Sequence, residues 1–238
     1  MIRLDGRTAL VCGGTRGIGA AIADLFTEAG ANVVVTGLRP VEGRHRNVAF
    51  DVSDDDAVAA GVTEARQLLG GRIDILVNSA GILSEASVVE MTPQMWNQTL
   101  AVDLTGVFYV CRHVVAGMIE RRWGRIINIA SQLGIKGAPS MSHYVAAKAG
   151  VLGFTKSLAL EVAEHNVLVN AIAPGPIETG MVAGVTDEWK KAKMRELPLG
   201  RFGVAEEVAP SALLLASEPG GNLFVGQTLG PNSGDVMP

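Results

Sequence analysis

The sequence predicts an α/β fold, a doubly wound parallel sheet of about seven strands with helices on both faces. Three observations carry this. Short β-rich runs alternate with longer stretches of helical period along the whole chain. Most of those short runs are continuously apolar, as strands buried on both faces of a parallel sheet are. At 238 residues, 48% hydrophobic and 18% charged, the chain has material for one sizeable core and too little charge for disorder.

The elements follow in order. Strand Thr8–Cys12 leads through glycines into a helix near residues 18–29, and Asn32–Thr36 is the second strand. The stretch from Gly37 to Asn47 is too short for a crossover helix before the third strand, Val48–Val52. A helix near 54–69, strand Ile73–Val77 and a helix near 93–120 come next. In that last helix Trp96, Leu100, Leu104, Phe108 and Cys111 recur at helical spacing, a core or subunit-interface stripe. Strand Arg125–Ala130, a helix near 143–164, strand Val167–Ile172, a helix near 205–217 and strand Phe224–Leu229 complete the series. No linker or repeat divides residues 1–238, so a single domain is expected. Gly175–Arg201 is long for a loop, and its Asp187–Arg195 portion reads as a short amphipathic helix. Such excursions cover sites, so a substrate lid is expected around 176–200; a solvated insertion is the alternative.

Composition excludes several classes. A net charge of −4 offers no basic stripe for nucleic acid. Cys12 and Cys111 cannot form a disulfide framework and read as small buried hydrophobes. The four histidines, His45, His113, His143 and His165, are scattered, so no metal site is expected. There is no signal-like apolar start and no uninterrupted run of about eighteen apolar residues, so no membrane span is expected and the cytoplasm is the default location.

After the first strand comes Gly13-Gly14-Thr15-Arg16-Gly17-Ile18-Gly19, running directly into a helix. Glycines let the backbone turn tightly and approach a pyrophosphate, and the helix start behind them supplies free N–H groups. Tyr144 and Lys148 sit four apart on one helix face. Ser131 follows the strand Arg125–Ala130, at the end of a parallel strand where open α/β sheets place ligands. These types suit carbonyl reduction, in which hydride adds to carbon and the developing alkoxide needs a proton. A free tyrosine titrates near ~10; a neighbouring ammonium is expected to pull Tyr144 down, and Ser131 to donate to the substrate oxygen.

Together these motifs resemble the short-chain dehydrogenase/reductase family and its Rossmann-type fold. The glycine segment is similar to its Thr-Gly-x-x-x-Gly-x-Gly signature, with Cys12 in the threonine's place. Asp51 in Phe50-Asp51-Val52 resembles its adenine-contacting aspartate, and Asn78-Ser79-Ala80-Gly81 its Asn-Asn-Ala-Gly element. Pro174-Gly175-Pro176-Ile177-Glu178-Thr179 resembles its Pro-Gly-x-x-x-Thr element, where the threonine holds the nicotinamide carboxamide. The match runs to Gly226-Gln227-Thr228. The resemblance implies a nicotinamide site drawn from Gly13, Thr15, Arg16, Gly17, Ile18, Gly19, Asp51, Val52, Asn78, Ala80, Gly81, Pro174, Gly175, Ile177 and Thr179, with Tyr144 as acid/base and Lys148 also on the ribose. It further implies a homotetramer or homodimer. Where the family carries an asparagine in its fourth helix, this chain has Asp103, a secondary catalytic member.

The second strand ends Val35-Thr36-Gly37-Leu38-Arg39, with no acid to bond a ribose 2′-hydroxyl. Arg16 and Arg39, with Arg44, His45 and Arg46, suit a 2′-phosphate, so NADP is favoured and NAD stays possible; a solvated basic surface is the bland alternative. The expected function is an NAD(P)(H)-dependent oxidoreductase interconverting a small-molecule carbonyl and a secondary alcohol. A β-ketoacyl carrier-protein reductase comes second, because Arg122 and His165 supply only half of a basic footprint for an acidic carrier. A nucleotide-binding regulatory protein without chemistry comes third, since Ser131, Tyr144 and Lys148 are all present. Gln132, Leu133, Met141, His143, Pro176 and Met181 are substrate-pocket candidates by position.

Overall fold

The computed structural model describes residues 2–180 and 186–237. Seven parallel strands form the sheet in the order β3-β2-β1-β4-β5-β6-β9. They are β1 (Thr8–Cys12), β2 (Asn32–Gly37), β3 (Arg46–Ala49), β4 (Ile75–Asn78), β5 (Gly124–Ile129), β6 (Val167–Ile172) and β9 (Thr228–Leu229). A separate two-stranded parallel ribbon pairs β7 (Ile177–Glu178) with β8 (Gly203–Val204), bracketing the excursion between them. The strand order reverses between β1 and β4, and this switch point opens the crevice in which ligands of such sheets bind.

Adjacent strand residues face opposite ways, so each strand feeds two cores. On one side Leu10, Val34, Leu76, Ile126 and Val169 pack with α2 (Asp55–Leu68), α4 (Gly106–Arg121) and α6 (Ser142–Val162). On the other Val11, Val35, Ile75 and Ile127 pack with α1 (Gly17–Glu28) and α8 (Ala205–Ala216) through Ile22, Phe26, Val208 and Leu215. Helix starts carry their chemistry locally. Asp54 accepts the N–H groups of Asp56 and Ala57 to start α2, and Thr92 with Pro93 starts α3 (Pro93–Leu100).

Several boundaries differ from the sequence reading. The third strand is Arg46–Ala49, not Val48–Val52, because Asp51 accepts from the Ser53 N–H and turns the chain out of the sheet. The crossover from β2 to β3 has no helix, as its length requires. The fourth strand starts late because the Asp74 carboxylate, not the ladder, takes the Thr8 N–H. The last strand shortens to Thr228–Leu229 because Gly226 is left-handed (φ +65°) and breaks the run. The predicted helix over 93–120 is α3, a π-helical turn over Ala101–Thr105, then α4. Pro93–Arg121 is long and apolar enough to cross a membrane by length and composition alone. Here Val107, Val110, Val114 and Met118 of that stretch are buried against the sheet. Trp96, Phe108 and, on α6, Leu160 remain exposed. Between β7 and β8 lies the expected helix, α7 (Asp187–Glu196), capped by Thr186.

Candidate active site

The glycine segment occupies the switch point. Gly13 adopts φ +74°, and a Cβ there would stand 2.5 Å from the Ala80 nitrogen, so the loop and the start of Asn78–Gly81 touch through backbone alone. A Cβ on Gly19 would overlap the Gly13 carbonyl. At Gly17 (φ +55°) the Cβ position is 3.5 Å from the Thr179 methyl, so the Pro174–Thr179 segment faces the same cradle. No side chain caps α1, leaving its first N–H groups directed at this space. A side-chain-free cradle beside an uncapped helix start fits a pyrophosphate. Thr15 lies under Gly37 at the end of β2, beside the loop that carries Arg39.

The predicted basic run divides. Arg44 pairs with Asp24 and Glu28, His45 with Asp24, and Arg46 donates to Asn32. Among the described residues Arg16 and Arg39 make no ion pair, and both are exposed. Asp51 is occupied by Ser53, while Val52 sides with Cys12, Asn78, Ala80 and Val102 along a narrow cleft. Asn78 is buried and donates to Asn128 Oδ1 (2.8 Å) and Cys111, tying β4 to β5 and α4. The Asn128 amide in turn donates to Thr155 on α6, which ties that helix to the sheet.

Ser131 lies just past β5, its Oγ accepting from the Leu133 N–H at the short helix α5 (Leu133–Lys136). Tyr144 on α6 lies within reach of Ser131, and one turn on, Lys148 Nζ is 5.5 Å from the Tyr144 ring centre. Lys148 donates to the Ile129 carbonyl (3.2 Å). Its ionic partner is Asp103, in the π-helical turn, with Oδ2 3.2 Å from Nζ. That contact is poorly aligned for a hydrogen bond, so it acts chiefly by charge. Asp103 is fully buried, and its Oδ1 accepts the Ile82 N–H at 2.8 Å.

These contacts set the electrostatics. Burial pushes the Tyr144 phenol up; the Lys148 ammonium pulls it down, the Asp103 carboxylate pushes it up, and Ser131 pulls it down. Lys148 acts in the expected downward direction, but burial outweighs it, and the outcome is above the ordinary tyrosine value. Burial works against the Lys148 charge, but Asp103 and Tyr144 outweigh it and hold the ammonium above its ordinary value. Burial also pushes both Cys12 and Cys111 thiols to about 12, leaving them inert.

Around this centre the pocket candidates separate. His143 is fully buried and bonded to Ser84 Oγ (2.8 Å). Gln132 is buried and donates to Asp235, a residue of the C-terminal tail. Asp235 also binds Lys136 of α5 (2.7 Å) and Lys193 of α7 (3.0 Å), joining three elements beside Ser131. Leu133, Met141 and Pro176 are partly exposed, and Met181 lies outside the described residues. Gln132 Nε2, Ser84, Asp235 and Lys193 form contacts that no local pattern announced. The Pro174 carbonyl accepts from Gln132, and Gly175 packs its Cα face on Asn232, so the tail also backs the Pro174–Thr179 segment.

A family model described as Enoyl-(Acyl carrier protein) reductase matches residues 13–234. The 3-oxoacyl-[acyl-carrier-protein] reductase FabG of Chlamydia trachomatis is 41% identical, covering 97% of this chain and 98% of the relative. The namesake of Aquifex aeolicus is 42% identical over 91% and 92%, and that of Vibrio cholerae 39% over 99% and 100%. The solved crystal structure of gox2181 superposes with a TM-score of 0.92 at 33% identity, covering 98% of this chain and 96% of that one.

Proposed function

The chain belongs to the short-chain dehydrogenase/reductase family, and on that premise we propose that it reduces 3-oxoacyl thioesters with NADPH. As an oxidoreductase of this family it interconverts a carbonyl and a secondary alcohol. The observation that carries the reading is the convergence of Ser131, Tyr144 and Lys148 beside the side-chain-free glycine cradle. The relatives' printed activity supports the acyl substrate.

The glycine segment, Thr179 and Lys148 are the groups that would hold the dinucleotide, and a bound nicotinamide supplies the hydride. Ser131 donates to the carbonyl oxygen and stabilises the charge that builds there. Tyr144 gives that oxygen its proton and is restored from solvent. Lys148, held charged by Asp103, stabilises the phenolate left behind. Of the expected lid, residues 181–185 lie outside the described residues; α7 reads as a cover, anchored through Lys193 and Asp235 next to Ser131.

A small-molecule ketone is the second reading, and one observation favours it. Arg122 donates to the Glu164 carbonyl (2.8 Å) and the His165 imidazole faces the Glu164 carboxylate at 3.6 Å, so the basic footprint for an acidic carrier rests on one guanidinium that is already engaged. NADPH consumption with acetoacetyl thioesters against a panel of simple ketones separates the two. In either case Tyr144→Phe is expected to lower kcat/KM by about 10²–10⁴ while NADPH affinity holds within a few-fold. Wild-type turnover in that variant removes the mechanism.

A further inference from the structure

The buried pair between Asp103 and Lys148 has a consequence for the direction in which this site works. Asp103 sits in the only π-helical turn of the described residues, where the bulge carries its side chain towards α6. Its exposure is 0% and that of Lys148 is 4%, so water screens neither charge. The Ile82 N–H donates to Oδ1 at 2.8 Å, which favours the ionised carboxylate. Gly81 leaves the space for this: a Cβ there would stand 3.1 Å from Oδ2 and 3.5 Å from Lys148 Nζ.

Other charges do not interfere among the described residues. The neighbouring titratable group on α6, His143, is turned onto Ser84. Lys136 of α5 and Lys193 of α7 are both engaged by Asp235. From β5 Lys148 meets a carbonyl, that of Ile129, and Ser131 is neutral. The electrostatic surroundings of Tyr144 are therefore one cation and one anion in contact, both buried.

Resting on the reading of Tyr144 as the proton donor, we propose that Asp103 is a positioning residue that locks the site in its proton-donating form. By offsetting the field of the Lys148 ammonium, which stays charged, its carboxylate keeps Tyr144 a phenol well above neutral pH, so carbonyl reduction persists into alkaline solution and alcohol oxidation lacks its phenolate base. Burial and the Asp103 charge both push the Tyr144 phenol up, in agreement with this geometry.

The chain has two tyrosines, so the phenol can be followed without any turnover. In a Tyr109→Phe background, ultraviolet absorbance titration reads Tyr144 alone. With Asp103 in place the midpoint is expected above that of free tyrosine, ~10. A midpoint below that value overturns the proposal without any change at Asp103. Asp103→Asn, and Asp103→Ala as a second variant lacking the Ile82 bond, are expected to lower the midpoint by about 1–2 pH units. The alkaline limb of ketone reduction should fall by the same amount and the rising limb of alcohol oxidation should move to lower pH. An unmoved midpoint in both variants overturns the proposal, even where Tyr144→Phe abolishes turnover as the proposed function requires. Absence of any turnover with a lowered midpoint would fault the proposed function and leave the electrostatic role of Asp103 standing.

Discussion

Arg39 follows the second strand and, with Arg16 in the glycine loop, is unpaired among the described residues, whereas Arg44, His45 and Arg46 are bound to Asp24, Glu28 and Asn32. A 2′-phosphate arriving at this rim therefore has Arg39 and Arg16 to meet it, and Arg39→Asp should weaken NADPH at least about tenfold more than NADH, a difference calorimetric titration reads. An equal loss for both dinucleotides would place the 2′-phosphate elsewhere. At this scale the sequence spoke clearly where spacing along one element was enough. Tyr144 and Lys148 share a face by their four-residue separation, and Ser131 ends a buried strand. It spoke less clearly of Asp103, whose partner lies on another helix: the position was visible, but the contact with Lys148 exists only once α6 packs over the π turn. The same distance in sequence hid the role of Asn78, whose amide bonds Asn128 and Cys111 across strands.

Among the elements, α7 depends on a residue far from it. Asp235 gathers Gln132, Lys136 and Lys193, so one tail carboxylate fastens α7 and α5 together beside Ser131. Burial opposes its charge, yet the hydrogen bonds from Lys136 and Lys193 outweigh this and hold the carboxyl below the ordinary range. A carboxyl so depressed contributes fully above its unfolded value of ~3.9, and the contribution fades as pH falls through the lower folded value. Asp235→Asn should raise the KM for the ketone about 3–10-fold with kcat within twofold, read from steady-state kinetics at neutral pH. An unchanged KM would mean that α7 covers nothing. Strand and helix identities were readable because each has its own period. Their ends were not, because side chains from elsewhere set them: the Asp74 carboxylate displaces a ladder bond, and left-handed Gly226 cuts the last strand short. The tail around Asp235 has no period at all, so its fastening role had no local signature.

For the molecule as a whole, the seven-stranded sheet with a core on each face was legible because nearly every strand is apolar on both sides, which only a covered parallel sheet tolerates. The far end of that sheet shows how charge can also be accommodated there. Arg125, fully buried at the start of β5, meets Glu218 and Asn222, and Trp123 lies against both Arg7 and Arg125. The Asp103–Lys148 pair is burial of another kind, because it sits in the site and its desolvation weighs on every folded molecule. Exchanging a buried ion pair for apolar side chains of similar volume is commonly neutral or stabilising by about 1–4 kcal/mol, whereas removing one partner alone costs about 3–5 kcal/mol. The double variant Asp103→Leu with Lys148→Met should therefore unfold at equal or higher denaturant concentration while losing turnover, and each single variant should unfold earlier. Under the proposed mechanism, thermal hardiness and turnover thus compete for the same two positions, and selection of this chain for heat resistance alone would favour discarding the very charges that mechanism uses.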